Sequence, residues 1–150
     1  MLVGVVRTSL PAKPRMGPRL VLQPANHRSA RLSSTRALRR YFLIADAWEL
    51  SPLQQCRLLR IPSPQVLARY RLGQAPRLSA AQQERAALVA SIQHSLIAEC
   101  GNKDRAWAWV HAPQDAPPFV GDSPLYFMLE NGLPALREVA RLLVRESEPR

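Results

Sequence analysis

The sequence predicts an all-α protein, and three observations carry this prediction. From residue 36 onward, apolar residues recur every three or four positions, which is the spacing of one helix face. A serine suited to capping precedes a proline where helices are expected to begin, at Ser51, Ser63 and Ser123. A glycine follows the periodic segments where helices are expected to end, at Gly73, Gly101 and Gly132.

Length and composition favour a single small helical core. The chain has 150 residues, 47% of them hydrophobic, which is enough to close one such core. No stretch approaches the roughly 18 consecutive apolar residues of a membrane span, and the N-terminal apolar run is too short for a signal peptide. We therefore expect a cytoplasmic protein. Cys56 and Cys100 lack CxxC spacing and nearby histidines, so free buried thiols are expected rather than a disulfide or metal site.

Excess positive charge lies in the first half of the chain. Residues 1–35 carry six basic and no acidic residues, and residues 36–73 carry seven basic and two acidic ones. Residues 102–150 carry six basic and seven acidic residues. This distribution indicates a half that faces a polyanion and a half that faces protein. Residues 1–35 are rich in proline and lack a helical period, so we expect a disordered basic tail there.

Residues 36–78 form the first predicted folded region. A helix is expected from about residue 36 to residue 50, capped by Ser34 or Thr35. Two short helices follow, one after Ser51 and one at about residues 64–72. The pair resembles a helix-turn-helix, in which the second helix lies in the major groove of DNA.

The second short helix supplies the candidate DNA-binding residues. Its apolar face is expected to turn inward, which leaves Gln65, Arg69 and Arg71 for bases and phosphates. Arg39, Arg40, Arg57 and Arg60 are candidates for the phosphate backbone. Arg60 also stands in the turn where glycine is typical, and a non-glycine residue at positive φ costs about 1 kcal/mol. The alternative is an all-helical scaffold whose arginines are merely solvated.

Residues 79–101 are predicted to form a long connecting helix. The helix has more apolar positions than one groove requires, with Leu88, Ile92 and Leu96 along one line. We therefore expect the chain to self-associate through this helix, most simply as a homodimer. The alternative is intramolecular burial against the helix at 36–50.

Residues 102–150 combine an apolar hairpin with two tryptophans. Trp107 and Trp109 lie two positions apart, so on a helix they point to different sides. Prolines between residues 113 and 118 end that helix. A short helix is expected from Pro124 to Asn131-Gly132, and Pro134 opens the last one.

An ordered set of residues runs through the second half of the chain. It comprises Leu78-Ser79, Gln83-Glu84-Arg85, Leu88, Ile92, Trp109, Pro113, Phe119, Gly121, Ser123-Pro124-Leu125, Met128-Leu129, Gly132, Leu136, Val139 and Leu142. This order and spacing resembles the Xre/MbcA/ParS antitoxin family over about residues 36–146. The resemblance implies an Xre-like helix-turn-helix region followed by a C-terminal toxin-binding domain. The implied partner is a RES-type toxin that consumes NAD.

The resemblance assigns toxin binding to residues 102–150. The candidate contact residues are Trp109, Phe119, Leu125, Met128, Leu136, Arg137, Arg141 and Arg145. The three arginines recur at four-residue spacing on the last helix, where they are suited to charge-assisted contacts with acidic groups of a partner. A helix laid across the toxin's active site would then block substrate entry. Solvated arginines are the alternative.

Catalytic motifs are missing from the sequence. The chain has no Gly-rich phosphate loop, no GxSxG, no HExxH and no carboxylate pair at a recognisable acid–base spacing. We expect neither an enzyme, nor a cofactor, nor a metal ion. Two functions remain. One is an antitoxin that binds its toxin, with operator DNA as a second candidate partner. The other is a DNA-binding transcriptional regulator with a C-terminal dimerisation hairpin.

Overall fold

The structure is a computed structural model that describes residues 33–147, and within that range it contains six helices and no strand. The helices are α1 (residues 33–47), α2 (Pro52–Leu59), α3 (Pro64–Arg71), α4 (Ala80–Cys100), α5 (Lys103–His111) and α6 (Pro124–Ser147). The all-α prediction is confirmed. The predicted tail at 1–35 lies outside the described residues except for 33–35, which belong to α1. None of the described helices is both long and apolar enough to cross a membrane.

Ser34 lies inside α1 and does not cap it. Its buried hydroxyl accepts hydrogen bonds from the Leu78 N–H at 3.1 Å and from Gln83 Nε2 at 3.5 Å. The predicted cap at Ser34 is therefore wrong, because the hydroxyl binds the segment that enters α4. α1 also ends earlier than predicted, at residue 47, shortly before Glu49 takes a positive φ of 56°.

The next three helices begin at the predicted serine caps. The hydroxyls of Ser51, Ser63 and Ser79 each accept a hydrogen bond from the backbone N–H three residues further on. Gln54 and Gln82 complete two of these caps, because their side chains accept from the N–H of the capping serine. Local sequence thus sets where α2, α3 and α4 begin.

Helix α6 is divided at Gly132. This residue has φ 68° and ψ −146°, a backbone conformation that glycine tolerates and that interrupts the helix before Pro134. Asn131 Nδ2 donates to the Phe127 carbonyl at 2.9 Å and satisfies one carbonyl near the break. The predicted stop at Asn131-Gly132 and restart at Pro134 are confirmed.

One hydrophobic core joins the helices from Ser34 onward. Its fully buried side chains come from all parts of this unit and include Tyr41, Trp48, Leu58, Ile92, Met128, Leu136 and Leu143. Among helices α2 to α6, α4 packs most extensively against α6, and both also contact α2 and α5. The regions predicted at 36–78, 79–101 and 102–150 therefore share a core within the described residues.

The apolar stripe of α4 is used inside the chain. Val89, Ile92 and Leu96 are at most 1% exposed, and Leu88 and Ile97 are half-buried. They pack in a core to which α5 and α6 contribute, so the burial involves more than α1, the helix that the alternative named. The fully buried part of this stripe is therefore used inside the chain, Leu88 and Ile97 stay partly exposed, and the homodimer stays a prediction.

Candidate functional site

The turn between α2 and α3 has the geometry in which glycine is favoured. Arg60 adopts a left-handed conformation, with φ 63° and ψ 51°. The N–H of Ile61 donates to the Cys56 carbonyl at 2.9 Å and closes the end of α2. An arginine thus occupies a strained position where glycine is favoured, and the chain still makes the tight turn that the helix-turn-helix prediction requires.

The three side chains predicted to contact DNA have different surroundings. Gln65 and Arg69 are exposed on α3, as expected. Arg71 is not free, because its Nη2 lies 2.8 Å from Asp46 Oδ1 and 2.8 Å from Gln55 Oε1. The expectation that Arg71 projects unpaired toward a ligand is therefore wrong.

An aromatic ring adds to the fixation of Arg71. Its guanidinium carbon lies 4.4 Å from the centre of the Phe42 ring, which is within the range of a cation–π contact. Phe42 packs edge-on against Tyr41, with ring centres 5.6 Å apart. Arg71 thus joins the end of α3 to α1.

A buried polar cluster lies beneath this contact. Tyr41 is fully buried and its hydroxyl donates to the Gln55 carbonyl at 2.8 Å. Gln55 is also buried, and its Nε2 donates to the Leu50 carbonyl at 2.9 Å. Burial raises the pKa of Tyr41 well above its ordinary value; the nearby Cys56 adds to the shift, and Arg71 and Arg85 oppose it. The cluster holds α1 and α2 together through a neutral tyrosine.

Most of the apolar residues predicted to bind a toxin lie in the core. Phe119, Leu125, Met128 and Leu136 are 4%, 4%, 1% and 0% exposed. Trp109 is half-buried, and its ring packs edge-on against Phe119 with centres 5.8 Å apart. The rest of the fold covers the apolar hairpin, so the burial of these four side chains is inconsistent with direct contact and gives them a structural role.

A tight loop connects α5 to α6 above this part of the core. The Gly121 N–H donates to the Gln114 carbonyl at 2.7 Å, and the Gln114 N–H donates to the Asp122 carbonyl at 3.1 Å. Val120, between Phe119 and Gly121, has φ 46°, which is an outlier for a β-branched residue. The paired backbone holds Val120 in a fixed position, and its side chain is 73% exposed.

Tyr126 adds an exposed aromatic ring in the first turn of α6. The side chain is 51% exposed, while the backbone N–H is held by Ser123 Oγ at 3.1 Å. We call Val120 and Tyr126 the loop patch. The sequence prediction named the adjacent Phe119 and Leu125 instead, because periodicity does not tell which side of a loop faces inward. The sequence signal that could have identified Tyr126 is the apolar stripe of Leu125, Met128 and Leu129, because Tyr126 lies on the opposite side of the helix.

The arginine row of α6 contains one paired and two solvated members. Arg137 Nε and Nη2 donate to the Glu84 carboxylate at 2.6 and 2.8 Å. These hydrogen bonds lower the pKa of Glu84 and raise the pKa of Arg137. Arg141 and Arg145 are exposed, and no carboxylate of residues 33–147 lies within 4 Å of either guanidinium. Arg137 therefore ties α6 to α4, and the other two remain available to a partner.

The two tryptophans of α5 face different surroundings, as predicted. Trp109 packs on Phe119, whereas Trp107 is 37% exposed and lies against the His111 ring at 4.5 Å. His111 Nε2 lies 2.7 Å from the Trp48 carbonyl and therefore carries the proton that it donates. This bond ties the end of α5 to the end of α1.

The remaining chemistry of the described residues is limited. No group of three or more His, Cys, Asp or Glu side chains is placed to hold a metal ion within residues 33–147. Cys56 and Cys100 are both free thiols; Cys56 is buried, as predicted, whereas Cys100 is partly exposed. Burial raises the pKa of Cys56. Comparisons of the chain with family models, curated proteins and solved structures returned no match.

Proposed function

We propose that this protein is the antitoxin of a type II toxin–antitoxin system, acting in the cytoplasm by binding and not by catalysis. Its partner would be a RES-type toxin that consumes NAD. The resemblance of residues 36–146 to the Xre/MbcA/ParS family motivates the proposal. The observation that supports it best is the loop patch, since Val120 and Tyr126 stand exposed on a backbone that is fixed by hydrogen bonds.

The loop patch has the properties of a protein contact. Tyrosine is enriched among the residues that dominate interface energies, because it combines a large rigid apolar body with a polar tip. A preformed loop also loses little conformational freedom on binding. The buried residues Phe119, Leu125 and Met128 would then contribute indirectly by holding the loop and the first turn of α6 in place.

Arg141 and Arg145 supply the electrostatic part of the proposed contact. They are exposed on α6 and have no carboxylate partner among the described residues. Arginine forms paired hydrogen bonds with carboxylates, so acidic groups at the mouth of the toxin's active site are suitable partners. In this position α6 would block the entry of the dinucleotide substrate.

DNA binding by α3 belongs to the same proposal as a means of autoregulation. Gln65 and Arg69 are exposed and match the side-chain types that read adenine and guanine in the major groove. Arg71 would contribute indirectly, by holding α3 against α1. A toxin–antitoxin complex bound to its operator is the assembly in which both surfaces would be occupied.

A transcriptional regulator without a toxin is the second candidate. The left-handed turn at Arg60 and the exposed side chains of α3 favour it, because both belong to a helix-turn-helix. The dimerisation hairpin of this alternative is less well supported, since the apolar side of the hairpin is buried within the chain.

Co-expression distinguishes the two candidates. We expect the full chain to restore growth of cells that express a RES-type toxin from an adjacent gene, and to co-purify with that toxin. Substitution of Gln65 and Arg69 by alanine should leave rescue intact. A chain that binds its own promoter but neither rescues growth nor co-purifies would support the regulator instead.

A further inference from the structure

A polar groove of about 760 Å³ lies where α2, the turn at Arg60, the start of α3, α4 and the break in α6 meet. Three arginines line it, Arg57 and Arg60 from α2 and its turn, and Arg85 from α4. Glu130 is the one acidic residue among its lining residues. With three positive charges and one negative charge, the groove carries a formal charge of about +2.

Two of the three arginines have no carboxylate partner in the part of the chain that the structure describes. Arg57 Nη2 donates to Glu130 at 2.6 Å, which uses the carboxylate of the groove. No carboxylate of residues 33–147 lies within 4 Å of the guanidinium of Arg60 or Arg85. Burial and the charge of Arg60 lower the pKa of Arg85, in that order of size, so the fold brings these like charges together at a cost.

The positions of Arg85 and Arg60 are determined by the backbone around them. Arg85 Nη1 donates to the Leu58 carbonyl at 3.1 Å, and Nη2 lies 3.6 Å from where a Cβ on Gly132 would stand. Arg60 occupies a left-handed position that is unfavourable for a long side chain such as arginine, and its carbonyl accepts from Gln82 Nε2 at 3.2 Å. A strained arginine beside an unpaired arginine is unfavourable for stability alone and indicates a ligand.

We propose that this groove binds a phosphate group through Arg60 and Arg85. Two guanidiniums, one from the turn after α2 and one from α4, suit a tetrahedral dianion, which offers oxygens in several directions. A planar carboxylate can be satisfied by one arginine. The phosphate belongs either to a small phosphorylated molecule or to the backbone of DNA held by α3. The proposal does not depend on toxin binding.

Binding of pyrophosphate to the full chain tests the proposal. Isothermal titration in a phosphate-free buffer of low ionic strength should give one site. Arg60→Gly, which removes the charge and relieves the strained backbone, should weaken binding about tenfold or more, and Arg85→Gln should do the same. The matched control is Arg105→Gln, an exposed arginine of α5 outside the groove, which should change the affinity less than about twofold.

A second titration, with a duplex oligonucleotide, separates the two sources of the phosphate. If the ligand is the DNA backbone, Arg60→Gly weakens duplex binding as well and reduces the slope of log K against log salt by about one. If the ligand is a small molecule, the duplex affinity of Arg60→Gly equals that of the unmodified chain. Either outcome supports the groove as a phosphate site, provided that Arg60→Gly also weakens the binding of pyrophosphate.

Three results would overturn the proposal. The first is the absence of a pyrophosphate site in the unmodified chain. The second is an equal loss in Arg105→Gln, which would show attraction to overall positive charge. The third is displacement of pyrophosphate by a hexaglutamate peptide at matching affinity, which would assign the groove to an acidic protein segment.

Discussion

Arg71 Nη2, on α3, lies 2.8 Å from Asp46 Oδ1, on α1, and this pair fixes the end of α3 against α1. The same nitrogen lies 2.8 Å from Gln55 Oε1, and the guanidinium covers the Phe42 ring. Arg71, which the sequence predicted to contact DNA, is therefore part of the scaffold that orients Gln65 and Arg69.

Replacement of Arg71 should lower stability. Asp46 and Arg71 are both partly exposed, so the ion pair itself contributes little. Arg71→Ala also removes the donor to Gln55, a buried residue, and the contact with Phe42, so we expect a loss of about 1–2 kcal/mol in the free energy of unfolding. Arg69→Ala, the exposed control on the same helix, should change it by less than about 0.5 kcal/mol. Equal urea midpoints for the two variants would contradict the assignment of Arg71 to the scaffold.

The buried Tyr41 should make the protein sensitive to alkaline pH. The pKa of Tyr41 is raised above the ordinary value of 10.0, so the unfolded chain releases this proton at a lower pH than the folded chain. The stabilising contribution is complete below about pH 10 and is lost as pH rises above it, at up to about 1.4 kcal/mol per pH unit.

Tyr41→Phe isolates this effect. The variant loses the hydrogen bond to Gln55 and about 1 kcal/mol at neutral pH, yet its stability should fall less steeply above about pH 10. Urea denaturation of both chains at a series of pH values is the measurement. Parallel curves for the two chains at alkaline pH would exclude Tyr41 as the responsible group.

A charge at Ile92 should unfold the chain. Ile92 is completely buried, and an unpaired carboxylate there costs several kcal/mol. Ile92→Glu should therefore lose its cooperative thermal transition, whereas His94→Glu, at an exposed position of α4, should retain it. Light scattering that shows a folded dimer turned into a folded monomer by Ile92→Glu would instead place this residue at an interface between two copies.

The turn at Arg60 offers a stabilising substitution. Arg60→Gly relieves a left-handed residue and should raise the free energy of unfolding by about 0.5–1 kcal/mol, after the greater flexibility of glycine in the unfolded chain is allowed for. Arg69→Gly, with the same change inside α3, should lower it by about 0.5–1 kcal/mol. Thermal denaturation of both variants checks that their stabilities change in opposite directions. A loss of stability in both variants would show that Arg60 is not strained.

Helix starts could be predicted from the sequence because their causes are local. Ser51 and Ser63 bond to backbone groups three residues away, so a short window of sequence contains both partners. The assignment of Ser34 failed for the opposite reason. Its partner is the N–H of Leu78, 44 residues further along the chain, and no helical period predicts that contact.

The candidate sites were harder to predict because they depend on which apolar and charged groups the fold pairs. Periodicity identified Phe119 and Leu125 as apolar and places Tyr126 opposite the apolar stripe of α6, but only the structure shows that Val120 is exposed. The groove around Arg60 likewise requires residues of α2, α4 and α6 to meet, and the sequence places these far apart.

The central claim is that the loop patch binds the toxin, and the affinity of Tyr126→Ala for a purified RES-type toxin tests it most directly. Leu72→Ala is the matched control, because Leu72 is 74% exposed and lies outside the patch. We predict that Tyr126→Ala raises the dissociation constant by about tenfold or more, while Leu72→Ala changes it by less than about threefold. Equal affinities for the unmodified chain and Tyr126→Ala, with both folded, would contradict the claim.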